Sequence, residues 1–343
     1  MMPLPTLDLG PWRTGPLQAR ERIARELDAA CSDIGFLQIV GHGVPAPVIE
    51  AMRRETEAFF ALPLEQKQRC APGRPGLNRG YAAMGSEALA YSLGAEPARP
   101  DLFEAFNVGP DAVPDDAWHR AAPHDFFANN LWPDAMPALR AAVMRYFAEA
   151  RRVAATLIEV FAPALGLPQG WFRPYTDRST LTLRILNYER RPEDAAPAPG
   201  QQRMGAHTDY GVVTVLCADP VPGLEVLAPD GHWQAVTPEP GALLVNLGDM
   251  TAQWTNDRWR STLHRVVPPP DLGGRAKRRS AAFFFDANYD ARIECLPTCV
   301  RPGRPAKYPP VLAGDHLIAK ILGPRTLAPS RATNTASDRV RPA

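Results

Sequence analysis

A chain of 343 residues with 45% hydrophobic content is long enough for a sizeable core, arranged as about two domains or as one large β-rich unit. Its 38 basic and 37 acidic residues leave a net charge of +1, which gives no electrostatic reason to expect nucleic acid or an anionic membrane as partner. No apolar run reaches the roughly 18 residues of a membrane span, and Met1 to Gly10 lacks a basic segment followed by an apolar one, so neither a transmembrane helix nor a secretory signal is expected.

In chain order, residues 3–9 read as an opening strand, and 16–33 as an amphipathic helix with Leu17, Ile23, Leu27 and Ala30 at helical spacing. Residues 35–40 read as a strand that stops at Gly41-His42-Gly43, and 45–61 as a second helix with Ile49, Met52, Phe59 and Phe60 on its apolar side. Residues 72–115 are rich in Gly and Pro and are expected to be irregular. A long helix is expected over 134–166, where Leu139, Val143, Tyr146, Phe147, Val153, Leu157, Val160 and Phe161 recur at helical spacing. Short strand-like runs follow at 180–188, 211–218, 224–227, 233–236, 242–247, 264–267 and 280–286. Turn signals at Pro229-Asp230-Gly231, Pro240-Gly241 and Gly273-Gly274 separate some of them. The pattern predicts a mainly β, α+β chain with a double-sheet jelly-roll core. Four regions are expected: 1–115, a helical support at 116–174, the core at 175–324, and a mobile polar tail at 325–343. Five scattered cysteines, an odd number, suit a reduced cytosolic compartment.

The chemistry concentrates in three short motifs. If residues 204–217 form a strand, His207 and Asp209 project from one face, because side chains alternate along a strand. His264, on a neighbouring strand, would complete two imidazoles and a carboxylate, the ligand set of non-haem Fe(II) oxygenases. The other reading of this trio is a hydrogen-bonded pair of core histidines. Of the remaining histidines, His42 and His232 fall in turns, and His119, His124 and His316 have no carboxylate at ligand spacing on a clear strand. Arg278 and Ser280 repeat the two-residue spacing. Arg278 shares its face with Ser280, Ala282 and Phe284, so its charge needs a partner there. A carboxylate meets that need, and a co-substrate with a carboxylate at one end and a metal-chelating group at the other is 2-oxoglutarate.

These segments resemble the isopenicillin N synthase-like family of Fe(II)/2-oxoglutarate oxygenases. The likeness lies in Gly205-Ala206-His207-Thr208-Asp209-Tyr210-Gly211, Leu263-His264-Arg265-Val266 and Arg278-Arg279-Ser280-Ala281-Ala282-Phe283-Phe284. The motifs stand in order, 55 positions from Asp209 to His264 and 14 from His264 to Arg278. The resemblance implies a distorted double-stranded β-helix, O2 as oxidant, and Tyr188 beside 2-oxoglutarate, although Glu189 replaces the usual proline after that tyrosine. It implies oxidation, by default hydroxylation, of a small organic molecule by a monomeric cytoplasmic enzyme. It also suggests Tyr81 and Phe106, in the 72–115 stretch, and Phe284 as substrate contacts. Alternatives remain: an oxidase or cyclase that uses no 2-oxoglutarate, ethylene-forming breakdown of 2-oxoglutarate (for which Asn187 stands in place of an arginine), a zinc hydrolase, and a non-catalytic metal-binding jelly roll.

Overall fold

The computed structural model describes residues 4–74, 76–93, 99–189, 198–268 and 277–328. The helix Leu17–Asp33 buries Ile23, Ala24, Leu27, Ala30 and Cys31 on one stripe, and the helix Ala46–Phe60 buries Val48, Met52, Thr56, Phe59 and Phe60. A longer helix, Pro137–Ala164, starts with proline in its first turn, where the missing N–H costs nothing.

Of the fourteen strands among the described residues, twelve form the two main sheets, and Arg292–Ile293 pairs with Val311–Leu312 in a small third one. The twelve are β1 (Thr6–Asp8), β2 (Phe36–Val40), β3 (Gly80–Ala82), β4 (Glu104–Val108), β5 (Leu181–Asn187), β6 (Met204–His207), β7 (Val213–Ala218), β8 (Leu224–Leu227), β9 (Trp233–Ala235), β10 (Leu243–Leu247), β11 (His264–Val266) and β12 (Arg279–Phe285). The major sheet has eight strands in the order β1-β2-β10-β7-β12-β5-β4-β3, and the minor sheet has four in the order β6-β11-β8-β9. Strands before residue 109 thus form both edges of the sheet whose centre comes from residues 181–285. This is a jelly-roll core with flanking helices.

Two hydrophobic layers hold it together. The outer one joins the helices to the major sheet, with Phe147 of the long helix edge-on to Phe283 of β12, ring centroids 5.0 Å apart. The inner one, including Phe36, Leu186, Leu224, Val226, Leu244 and Val266, joins the sheets and surrounds the cavity.

Two expectations change. The stretch 72–115 is not irregular throughout: β3 and β4 pair within it, and β4 is buried along its whole length. Polar Glu104 and Asn107 hid this strand, because Glu104 finds its ion-pair partner, Lys67, far off in sequence. Nor is 204–217 one strand. Beyond β6 the backbone leaves the sheet, and the carbonyls of Asp209, Gly211 and Val212 accept from the N–H groups of Asp249, Met250 and Gly248. Gly211 is required there: a Cβ on it would lie 1.5 Å from Asp286 Oδ1. Of the tail expected at 325–343, Arg325 and Thr326 close the helix Ala313–Thr326. Residues 329–343, like the Gly273-Gly274 turn, lie outside the described residues. Among the described residues no helix is long and apolar enough to cross a membrane.

Candidate metal centre and active-site cavity

Antiparallel pairing of β11 with β6 puts His264 directly opposite His207. Their ring centroids are 4.3 Å apart. Asp209 arrives from the segment after β6, with Oδ1 3.9 Å from His207 Nε2 and 3.8 Å from His264 Nε2. The three ligand atoms all lie within 4.8 Å of one another, and all three side chains are buried.

The unused atoms are tied back. His207 Nδ1 bonds the Gly205 carbonyl at 2.8 Å and His264 Nδ1 the Thr262 carbonyl at 3.1 Å. Each ring is thereby held as the tautomer whose Nε2 lone pair points at the shared centre. Asp209 Oδ2 accepts from Thr214 Oγ1 and from Asn246 Nδ2, both at 2.5 Å, which leaves Oδ1 for a metal. Burial, together with the neighbouring His264 ring, pushes His207 down to about 3 and keeps it a neutral donor. Two imidazole nitrogens and one carboxylate oxygen on one side suit a divalent iron with open positions on the other.

The cavity between the sheets is lined by this trio and by alternate residues of β12. Ser280, Ala282 and Phe284 line it, as does Arg278 just before the strand. Arg278 is 2% exposed. Its Nη1 lies 3.4 Å from Ser280 Oγ, and its guanidinium carbon stands 5.1 Å from the centre of the Tyr188 ring. Its Nε has no hydrogen-bond partner, and no carboxylate among the described residues lies within ion-pair distance. Burial lowers its pKa, the cost of a guanidinium without a counter-ion. The unpartnered Nε and the missing counter-ion point to an anionic ligand that enters the cavity.

Tyr188, 2% exposed, also lines the cavity. Tyr81 and Phe106 do not, and on this point the expectation is corrected. They lie opposite each other in the β3–β4 pair and both face the helix layer. The Tyr81 hydroxyl donates to Glu104 Oε2 at 2.6 Å, and Phe106 packs on Phe59 at 4.7 Å between ring centroids. Asn187 turns the same way and donates to Glu104 Oε1. One residue of alternation on these strands separates the cavity from the outer core.

Several cavity residues escaped the sequence reading: Thr214, Asn246, Glu87, Arg184 and Arg325. Arg184 carried the same signal as Arg278, a charge sharing its strand face with Thr182 and Leu186. Arg325 carried none, because its segment read as tail.

A family model described as the 2OG-Fe(II) oxygenase superfamily matches residues 180–287, and one described as the non-haem dioxygenase in morphine synthesis N-terminal region matches residues 4–135. The chain belongs to the 2-oxoglutarate/Fe(II) oxygenases of the isopenicillin N synthase-like superfamily. It is an Fe(II)/2-oxoglutarate-dependent dioxygenase, an oxidoreductase that uses iron, 2-oxoglutarate and O2. It is 36% identical over 321 residues to validamycin A dioxygenase of Streptomyces hygroscopicus subsp. limoneus, covering 92% of this chain and 85% of that protein. It is 33% identical over 322 residues to the 2-oxoglutarate-Fe(II) type oxidoreductase hxnY of Emericella nidulans, covering 91% and 87%. Among solved structures, a full-length Neurospora crassa protein in complex with alpha-KG and thymine matches with a TM-score of 0.80 at 28% identity, over 93% of this chain and 96% of that one.

Proposed function

We propose that this dioxygenase hydroxylates an unactivated C–H bond of a small organic metabolite. One atom of O2 goes to the substrate and the other to succinate, with CO2 released from 2-oxoglutarate. The observation that carries this reading is Arg278: a buried guanidinium without a counter-ion, in the same cavity as two histidines and a carboxylate whose free atoms converge. His207, Asp209 and His264 would hold Fe(II). When bound, the iron supplies the activation of O2 that no side chain provides.

The protein's part is binding, orientation and shielding. Arg278, with Ser280 and Tyr188 beside it, receives the far carboxylate of 2-oxoglutarate. Thr214 and Asn246 keep Asp209 in one rotamer. Leu186, Leu216, Leu224 and Val266 exclude water from the co-substrate's path. Phe284 is one of the aromatic walls open to the substrate.

In this reading residues 175–324 carry the chemistry, 1–115 and 116–174 support it, and Arg325, at the start of the 325–343 segment, borders the cavity. The near-neutral net charge agrees with a small-molecule partner rather than nucleic acid or membrane, the free cysteines agree with the cytoplasm, and the family resemblance suggests a monomer.

Anaerobic titration with Fe(II), with and without 2-oxoglutarate, tests the proposal through the weak visible charge-transfer band of the iron complex. The expected result is a band with 2-oxoglutarate that Arg278→Ala abolishes at modest co-substrate concentration. Iron binding without any band would favour an oxidase that uses no 2-oxoglutarate or a non-catalytic metal protein.

A further inference from the structure

Beyond Arg278, the cavity holds a second guanidinium cluster that the co-substrate does not explain. Arg184 lies on β5 opposite Ala282, so it sits about 13 Å along the sheet from the level of Arg278. It is 9% exposed, and it pairs with Glu87 through Nη2 and Oε2 at 2.9 Å. Arg325, from the last turn of the C-terminal helix, reaches the same carboxylate, Nε to Oε1 at 3.8 Å, and donates to Asn78 Oδ1 at 2.5 Å. Arg79 adds a third guanidinium, 2% exposed, which donates to the carbonyls of Asn78, Phe126 and Ala128. All four side chains line the active-site cavity.

Two of these cations, Arg184 and Arg325, therefore share one carboxylate, and Arg79 has no carboxylate within ion-pair distance among the described residues. The backbone carbonyls around Arg79 satisfy its N–H groups but not its charge. Arg184 makes one hydrogen bond, to Glu87, and its remaining donors belong to a side chain on the cavity wall. The other cavity carboxylates are committed elsewhere: Asp209 to Thr214 and Asn246, Asp125 to Arg74, and Asp286 packed over Gly211. Leu317, Ile318 and Ile321 of the C-terminal helix supply apolar wall beside the cluster.

We propose that the primary substrate is a small carboxylic acid whose carboxylate docks on Arg184 and Arg325 while its hydrocarbon body lies against Phe284 and the C-terminal helix. This rests on the oxygenase reading and adds the substrate class to it. A guanidinium fork matches a carboxylate through two parallel hydrogen bonds, and the excess positive charge provides the counter-ion. Glu87 orients both arginines and rejects a second anionic group next to the first.

The test uses protein loaded anaerobically with Fe(II) and saturating 2-oxoglutarate. The probes are matched small carboxylic acids and their primary amides, with aliphatic, aromatic and heteroaromatic bodies. Binding is read by ligand-observed NMR and by perturbation of the charge-transfer band. The expected result is at least one acid bound about ten-fold or more above its amide. Arg184→Gln should remove that preference while the 2-oxoglutarate band remains, and Glu87→Gln should strengthen acid binding. If Arg184→Gln does not fold, Arg325→Gln, at the helix end, should weaken the preference and decides in its place. Amides bound as well as acids, no acid bound, or a preference that survives these arginine variants would overturn the proposal. A wild-type protein without the band would count against the oxygenase reading itself, and this one with it.

Discussion

The two faces of the major sheet come from the same strands and differ in how their buried charges are settled. On β12, Ala281, Phe283 and Phe285 turn outward into the helix-backed core, whereas Ser280, Ala282 and Phe284 turn inward to the cavity. On β5, Leu181, Leu183 and Ile185 face out, whereas Thr182, Arg184 and Leu186 face in. The buried ion pair beside the outer core, Lys67 with Glu104 at 2.5 Å, is closed within the chain. On the inner face Arg278 has neutral neighbours, Ser280 and Tyr188, but no carboxylate partner among the described residues. A period of two along a strand thus divides one stretch of sequence into a half that stabilises and a half that waits for ligands.

Paired substitutions on β12 give the largest effect. Phe283→Ala, on a side chain that is 0% exposed, should cost about 3–5 kcal/mol of stability in denaturant unfolding. Phe284→Ala, one residue on, should cost clearly less and act on substrate turnover. Equal losses of stability from both would erase the distinction between the faces. Next comes Arg278→Ala, expected to weaken 2-oxoglutarate binding by about 2–5 kcal/mol in calorimetry of the iron-loaded protein. The same change should leave the ligand-free protein no less stable, because it removes a buried charge that has no carboxylate partner among the described residues. A less stable protein with unchanged 2-oxoglutarate affinity would make Arg278 a structural residue.

Smaller changes probe the support behind the triad. Asn246→Ala removes one of the two hydrogen bonds to Asp209 Oδ2 and should lower metal affinity roughly ten- to a hundred-fold in competition with a chelator. The smallest effect concerns Asp286, whose carboxyl is raised to about 7 by burial and by the nearby Asp209 charge. In the unfolded chain it loses its proton near 3.8, so folding takes up a proton between these values. Its contribution to the stability of the metal-free protein is therefore complete below about pH 4 and lost as pH rises through 7. Asp286→Asn should flatten that decline in thermal unfolding across the same range. An unchanged pH profile would show that Asp286 does not titrate there.

Much of this was legible in the sequence because it depended on local periodicity. The helices at Leu17–Asp33, Ala46–Phe60 and Pro137–Ala164 announce themselves by apolar residues at helical spacing. The face shared by Arg278, Ser280, Ala282 and Phe284 follows from alternation, and so does the need of Arg278 for an anion. The convergence of His207, Asp209 and His264 was anticipated for a partly different reason. His264 does come from the neighbouring strand, but β6 ends at His207, and Asp209 is held by hydrogen bonds from residues 248–250 rather than by strand geometry.

The sequence by itself determined which side chains alternate, which residues are candidates for metal-ligand and carboxylate-anchor chemistry, and that many short strands would form a layered β core. Only the tertiary structure decided which side of each strand became the cavity. That choice put Tyr81 and Phe106 in the outer core and Arg184 in the site, because side-chain alternation fixes relative faces while packing against helices or the second sheet chooses between them. It also brought Glu87, Arg184 and Arg325 together from three distant segments. Charges so far apart in sequence have no local pattern, and each becomes functional only through partners the fold brings to it.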